Sequence, residues 1–102
     1  MLRDMLQLSG MIKSFRHRGL KRLYERGDRS RLPPDMASKI EDIIAALDVA
    51  TTPQDMDRPS YRLHPLTGDL RGFWSVTVRA NWRIIFRFER EDVTDVDFVD
   101  YH

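Results

Sequence analysis

The chain has 102 residues, 41% of them hydrophobic and 10% aromatic, which predicts one folded domain with its own core. It has no cysteine, which excludes disulfides, thiolate metal sites and a thiol nucleophile, and no apolar run of the about 18 residues that span a bilayer. Residues 1–10 lack the basic start and apolar stretch of a signal peptide, so we expect a cytoplasmic protein with no membrane partner.

The net charge is only +1, but the charges are segregated along the chain. Residues 11–32 carry eight basic and two acidic side chains, and residues 61–90 carry six basic and two acidic ones. Residues 33–60 and 91–102 have net charges of −4 and −5. Such segregation suits a positive surface that binds a polyanion. Pairing of the oppositely charged segments within the fold explains it equally well.

Two helices are predicted in the first half of the chain. Residues 11–15 (MIKSF) have the pattern of a short edge strand, and residues 17–26 that of a basic helix that ends at Gly27. Residues 33–35 (PPD) then open a second amphipathic helix, which residues 51–53 (TTP) end. Because both helices are short and joined by a tight loop, we expect an antiparallel pair lying on a sheet.

The second half of the chain predicts four strands. Residues 61–66 have the pattern of a strand that Pro65 interrupts or ends. Residues 74–88 (WSVTVRANWRIIFRF) predict a β-hairpin with its turn at Ala80-Asn81, and residues 93–102 a last strand. The order is then β-α-α-β-β-β-β, an α+β fold with two N-terminal helices packed on one face of a mostly antiparallel sheet.

Alternation along the hairpin separates an apolar face from a cationic one. The apolar face contains Trp74, Val76, Val78, Trp82, Ile84, Phe86 and Phe88. The opposite face contains Phe73, Ser75, Thr77, Arg79, Arg83, Ile85, Arg87 and Glu89. If the helices cover the apolar face, the other is an exposed, cationic sheet surface where function is to be sought.

The three histidines are the first candidates for chemistry. His17 stands at a helix start, where a solvated side chain is expected. His64 lies in a strand, where a lone histidine is more often structural than catalytic, and His102 is the last residue. No close-spaced ligand motif surrounds His64, His102 or Asp100, so no metal or cofactor is expected. The chain also lacks a glycine-rich phosphate loop and a serine elbow.

One chemistry needs only positioned side chains: cleavage of RNA by attack of its own 2′-hydroxyl on the adjacent phosphate. Positioned proton transfer contributes about 10²–10⁴-fold, and aimed positive charge typically a few kcal/mol more. Histidine, aspartate or tyrosine could move the protons. The phosphate clamp would come from Arg79, Arg83 and Arg87, and base stacking from Phe73 and Tyr61. A solvated sheet face explains the arginines equally well on spacing alone.

Four segments closely resemble the HigB-type killer toxins of the RelE/ParE superfamily: MIKSFRHRGLKRLYERG, YRLHPLTGD, GFWSVTVRANWRIIFRF and the terminal DYH. The resemblance runs from Met11 to His102, so residues 11–102 are expected to form the toxin domain and residues 1–10 an N-terminal extension. It implies a compact microbial-RNase-like fold and a metal-independent endoribonuclease that cuts translated mRNA in the ribosomal 30S A site. It also implies a helix-turn-helix antitoxin (HigA-type), with operator DNA contacted only through the toxin–antitoxin complex.

The resemblance also implies the site residues. The catalytic positions match His64 of LHPL and Asp100, Tyr101 and His102 of DYH. The positions at the scissile phosphate and mRNA backbone match Arg79 and Arg83 of VRANWR. Many relatives have a lysine where this chain has Thr67. If that lysine helps to hold RNA, this chain needs another cation, Arg71 or Arg62, or it is weaker.

Our working hypothesis pairs Asp100 with His102 for proton transfer, while His64 contacts the phosphate or shares the proton work. Which residue is the base and which the acid stays open. Strand alternation places Tyr101 on the face opposite Asp100 and His102, so the three converge only if the chain end leaves regular strand geometry. We expect His102→Ala and Asp100→Ala to abolish RNA cleavage in a folded protein.

Three other functions compete with this one. A ParE-like gyrase inhibitor cuts no RNA and needs no proton-transfer residues, so His64 and the terminal DYH favour the nuclease. A toxin that has lost its activity would survive as an antitoxin-binding relic. A plain RNA-binding sheet protein would bind free RNA with an affinity that falls steeply as salt rises.

Overall fold

The computed structural model describes residues 11–101, in which two helices pack on one face of a four-stranded antiparallel sheet. Helices α1 and α2 span Arg18–Arg26 and Ala37–Val49, and strands β1 to β4 span His64–Pro65, Trp74–Arg79, Trp82–Glu89 and Asp92–Asp100. Short 3-10 turns lie at Pro53–Met56 and Gly68–Leu70. The sheet order is β1-β2-β3-β4. The predicted α+β fold is therefore confirmed, and within residues 11–101 no helix is long and apolar enough to cross a membrane.

The predicted first strand forms only in part. Residues 11–16 run parallel to β4 and bridge it at Val93 and Val96. Between these bridges Asp95 has a left-handed φ of 55° and donates its N–H to the Ser14 hydroxyl oxygen at 2.9 Å. This interruption of the main-chain ladder leaves two isolated bridges instead of a continuous strand. Residues 1–10 and His102 lie outside the described residues, so the N-terminal extension stays a prediction.

Helix α1 begins one residue later than predicted because His17 caps it. The His17 Nδ1 accepts a hydrogen bond from the Leu20 N–H at 3.2 Å, and its half-buried ring lies edge-on to Phe98 at 5.7 Å between centroids. The expectation of a solvated His17 was therefore wrong. At the other end Gly27 has a φ of 68°, the left-handed conformation that glycine tolerates, and it ends the helix as predicted.

Helix α2 also begins later than predicted, at Ala37 instead of within residues 33–35. The two prolines form the turn that leads into it, and Met36 is its N-cap residue. Its buried stripe contacts the apolar face of the sheet. The largest fully buried side chains in this core include Leu20, Ile40, Ile43, Leu47, Val76, Ile84 and Phe86.

The second face of the sheet is not wholly exposed, contrary to the prediction. The loop of residues 66–72 folds back over one end of that face and buries a small second core there. This core contains Leu66, Phe73 and Ile85, each 5% exposed or less, with Leu70 and Val99 packed at its edge. The end of the face toward the β2–β3 turn lies outside this second core.

The hairpin turn falls at Ala80-Asn81 as predicted, but β2 contains a bulge just before it. The register pairs Thr77 with Arg83 and then Arg79 with Trp82, so Val78 is an extra residue in β2. Because a bulge shifts the side-chain alternation by one, Arg79 leaves the face of Thr77 and joins that of Trp82. The predicted grouping of Arg79 with Arg83 on one face was therefore wrong.

Candidate active site

A cleft of about 230 Å³ opens on the sheet face away from the helices. Register places this cleft on the side of Ser75 and Arg83, because residues directly opposite one another in a sheet share a face. Side chains from all four strands or their ends line it, namely Arg62, His64, Ser75, Thr77, Arg83 and Tyr101. The cleft thus gathers an imidazole, a phenol and two guanidinium groups.

His64 is positioned by the short edge strand β1. It lies opposite Ser75, and Pro65 is tolerated beside it because an edge strand can spare an N–H donor. Upstream, the Tyr61 carbonyl accepts a hydrogen bond from the Thr77 N–H at 2.7 Å. These backbone contacts hold both sides of His64 while its exposed side chain remains open to a substrate.

Arg62 enters the cleft through an unusual backbone conformation. Its φ is 50°, in the left-handed region that non-glycine residues adopt at a cost and that is enriched at functional sites. The kink lies between buried Tyr61 and strand β1, and Arg62 itself is exposed. Arg62 was predicted only as one possible substitute for a lysine, because nothing in the local sequence signals a left-handed arginine.

Arg83 is held by the turn of the hairpin. Its guanidinium donates hydrogen bonds to the carbonyl oxygens of Ala80 and, at 3.3 Å, Trp82. The side chain is half-buried, so these bonds fix the direction of its fork before any ligand binds. The remaining N–H donors of the fork are suited to a phosphate.

The end of β4 separates Tyr101 from Asp100. The Tyr101 N–H donates to the Asn81 carbonyl at 2.8 Å, which continues the pairing beyond the strand, and the Tyr101 side chain lines the cleft with 36% of its surface exposed. Asp100 lies opposite Trp82, on the helix-side face. The predicted alternation is confirmed up to Tyr101. His102, its predicted proton-transfer partner, lies outside the described residues.

The predicted substrate-binding residues are not all brought together. Among Arg71, Phe73, Arg79, Arg83 and Arg87, only Arg83 lines the cleft. Arg79 forms an ion pair with Asp35 beside α2, and Arg71 lies exposed just after the Gly68–Leu70 turn. Phe73 is 5% exposed and has little surface left for a base. Arg87 lies over the Phe73 ring, away from the cleft.

Tyr61, the other predicted stacking residue, is also unavailable to a base. It is 5% exposed, and the cationic groups of Lys39 and Arg58 lie 5.9 and 5.5 Å from its ring centroid. Its ring supports these two side chains at the surface, and its main chain supports the cleft.

The cleft can perform anion binding and proton transfer. Its described lining contains two arginines and no carboxylate, which favours a phosphate group. An imidazole and a phenol at the same opening can exchange protons with that group or its neighbours. Among residues 11–101, no group of three or more His, Cys, Asp or Glu side chains could hold a metal ion.

The chain is similar in sequence to known proteins. Residues 13–102 match the model of a family described as the HigB-like toxin, the RelE-like toxin of the type II toxin–antitoxin system HigB. Over 92 residues the chain is 49% identical to the protein named Endoribonuclease HigB from Proteus vulgaris. That match covers 90% of this chain and 100% of the relative.

Proposed function

The chain belongs to the HigB-like family of RelE-like toxins from type II toxin–antitoxin systems, and on this premise we propose that it is an endoribonuclease that cuts mRNA on the ribosome. The observation that carries the proposal is the cleft, in which His64 and Tyr101 face the same opening as Arg62 and Arg83. The Proteus vulgaris relative, which is named Endoribonuclease HigB, supports the same activity.

The reaction we propose uses the RNA's own 2′-hydroxyl as the nucleophile. A bond forms between that oxygen and the adjacent phosphorus while the bond from phosphorus to the 5′-oxygen breaks, leaving a 2′,3′-cyclic phosphate and a 5′-hydroxyl. A base removes the proton of the 2′-hydroxyl, and an acid protonates the leaving oxygen. Arg62 and Arg83 stabilise the extra negative charge of the pentavalent phosphorus.

His64 is assigned a proton-transfer role, since its exposed imidazole lines the same cleft as Arg62 and Arg83. The Tyr101 hydroxyl donates a hydrogen bond to the phosphate or to the leaving oxygen. Asp100 and His102 remain in the proposal as a second proton-transfer pair. Asp100 lies on the face opposite the cleft, so this pair reaches the RNA only if the chain leaves regular strand geometry after Tyr101.

The partners follow from the same proposal. A type II toxin has an antitoxin, and we propose a HigA-type helix-turn-helix protein as that partner. Translated mRNA in the A site of the 30S subunit is the proposed substrate. Operator DNA is contacted only through the toxin–antitoxin complex.

Primer extension on a defined mRNA tests the proposal. The RNA is incubated with purified protein, with protein and translating ribosomes, and with ribosomes and the His102→Ala variant. New cleavage ends are expected only with ribosomes and unaltered protein. Growth arrest on expression in cells, without cleavage, would indicate a gyrase inhibitor. The absence of both growth arrest and cleavage would indicate an inactive antitoxin-binding protein. Cleavage by the protein alone would overturn ribosome dependence.

A further inference from the structure

Two arginines share one buried aromatic ring on the same sheet face as the cleft. The guanidinium carbons of Arg16 and Arg87 lie 5.0 and 5.7 Å from the centroid of Phe73. The ring is 5% exposed, whereas the two arginine side chains are 49% and 39% exposed. The buried Phe73 ring is therefore an apolar surface on which two solvent-exposed guanidinium groups pack.

A single carboxylate lies between these two cations. One oxygen of Asp95 is 3.7 Å from the Arg16 Nε, and the other is 3.3 Å from a terminal nitrogen of Arg87. Asp95 is fixed in turn by its left-handed backbone and by the bond from its N–H to the Ser14 hydroxyl oxygen. Two guanidinium groups and one carboxylate leave a formal charge of +1, which one phosphodiester group would neutralise.

The position of this cluster fits an extended strand of RNA. Arg87 and Arg83 are four residues apart on β3 and project from the same face, so they are about 13 Å apart along the strand. That span exceeds a single nucleotide step. An RNA strand whose scissile phosphate lies at Arg83 would therefore place another phosphate, more than one nucleotide away, at Arg87.

We propose that Arg16 and Arg87, supported by Phe73 and bridged by Asp95, form a second phosphate subsite that binds the RNA backbone a few nucleotides from the scissile bond. This subsite rests on the proposed ribonuclease function. It contacts no reacting atom, so it contributes to RNA binding and register and not to the chemical step. The same residues would hold the N-terminal segment to β4 even if they had no ligand, so the test must separate the two roles.

The test measures binding of a single-stranded 2′-O-methyl RNA oligonucleotide, which cannot be cleaved by its own 2′-hydroxyl, by fluorescence anisotropy over a range of salt concentrations. Arg16→Ala is expected to weaken binding about tenfold and to reduce the slope of log K against log salt by about 0.7, the value for one contact to a single strand. Arg90→Ala removes the same charge from the exposed turn between β3 and β4 and is the matched control. Equal weakening by both variants would overturn the subsite.

Asp95→Asn gives a second, opposite prediction. Asparagine tolerates the left-handed backbone of Asp95, and the substitution removes the carboxylate that competes with a phosphate for the two arginines. RNA binding is therefore expected to tighten several-fold with a steeper salt dependence. A purely structural ion-pair cluster predicts a lower melting temperature and unchanged RNA binding, and that result would overturn the proposal even if Arg16→Ala failed to fold.

Single-turnover cleavage on ribosomes separates this inference from the proposed function. Arg16→Ala is expected to raise the protein concentration that gives half-maximal cleavage and to leave the maximal rate unchanged. If the unaltered protein cleaves mRNA but neither Arg16→Ala nor Asp95→Asn changes RNA binding, the subsite is rejected and the nuclease is retained. No cleavage, with the binding changes as expected, would reject the nuclease and retain a phosphate site.

Discussion

Replacing His64 with alanine is expected to lower the rate of mRNA cleavage on the ribosome by about 10²–10⁴-fold, the usual contribution of a positioned proton-transfer group. His64 faces the open cleft from a two-residue edge strand, and its side chain is exposed. Its removal therefore leaves the core intact, and the free energy of unfolding should change by less than about 0.5 kcal/mol. Single-turnover primer extension and thermal unfolding measure the two quantities.

His17→Ala is the matched control, because it removes an imidazole that caps α1 and lies outside the cleft. Loss of a capping interaction is expected to cost about 1 kcal/mol of stability, with the cleavage rate of the folded protein unchanged. His64→Ala should thus lower the cleavage rate without a loss of stability, and His17→Ala should lower the stability without a change in the cleavage rate. Cleavage by His64→Ala at the unaltered rate would remove His64 from the mechanism.

Arg83→Ala is expected to reduce cleavage by about 10²–10³-fold, as does removal of one donor aimed at the charge of a transition state. Arg79→Ala should change the rate only a few-fold. The two arginines flank the same turn and look equivalent in the sequence, but only Arg83 lines the cleft, whereas Arg79 is paired with Asp35. That exposed ion pair contributes about 0–1 kcal/mol to stability.

Arg83 also donates to two carbonyl groups of the turn, so its variants need a stability measurement. Arg83→Lys retains the charge but loses the planar fork, and we expect it to recover part of the rate. If Arg79→Ala lost as much activity as Arg83→Ala in folded protein, the assignment of the cleft to the Arg83 side of the sheet would be contradicted.

Most of the architecture could be predicted because periodicity is a local property. The apolar stripe of α2 and the alternating side chains of β3 specify which faces of the helix and the sheet pack together, so these faces are buried. The alternation that separates Tyr101 from Asp100 was predictable for the same reason and is confirmed by the register with Asn81 and Trp82.

The rest depended on contacts between distant segments. The bulge at Val78 moves Arg79 to the other face, and the left-handed Asp95 interrupts the ladder with residues 11–16. Neither has a local signal, because a bulge is decided by which register lets both neighbouring strands bury their side chains. The burial of Phe73 likewise depends on a loop that folds back over the sheet.

One altered substrate tests whether the cleft cuts RNA through attack by the RNA's own 2′-hydroxyl. A ribosome-bound mRNA carries a 2′-O-methyl group at one mapped cleavage position and is compared with the unmodified mRNA by primer extension. We expect the cleavage end to disappear at the methylated position, because the nucleophile is blocked there, and to persist at unmodified positions. An equal yield at the methylated position would show that an external nucleophile attacks the phosphate, and would contradict the mechanism assigned to His64, Arg83 and Tyr101.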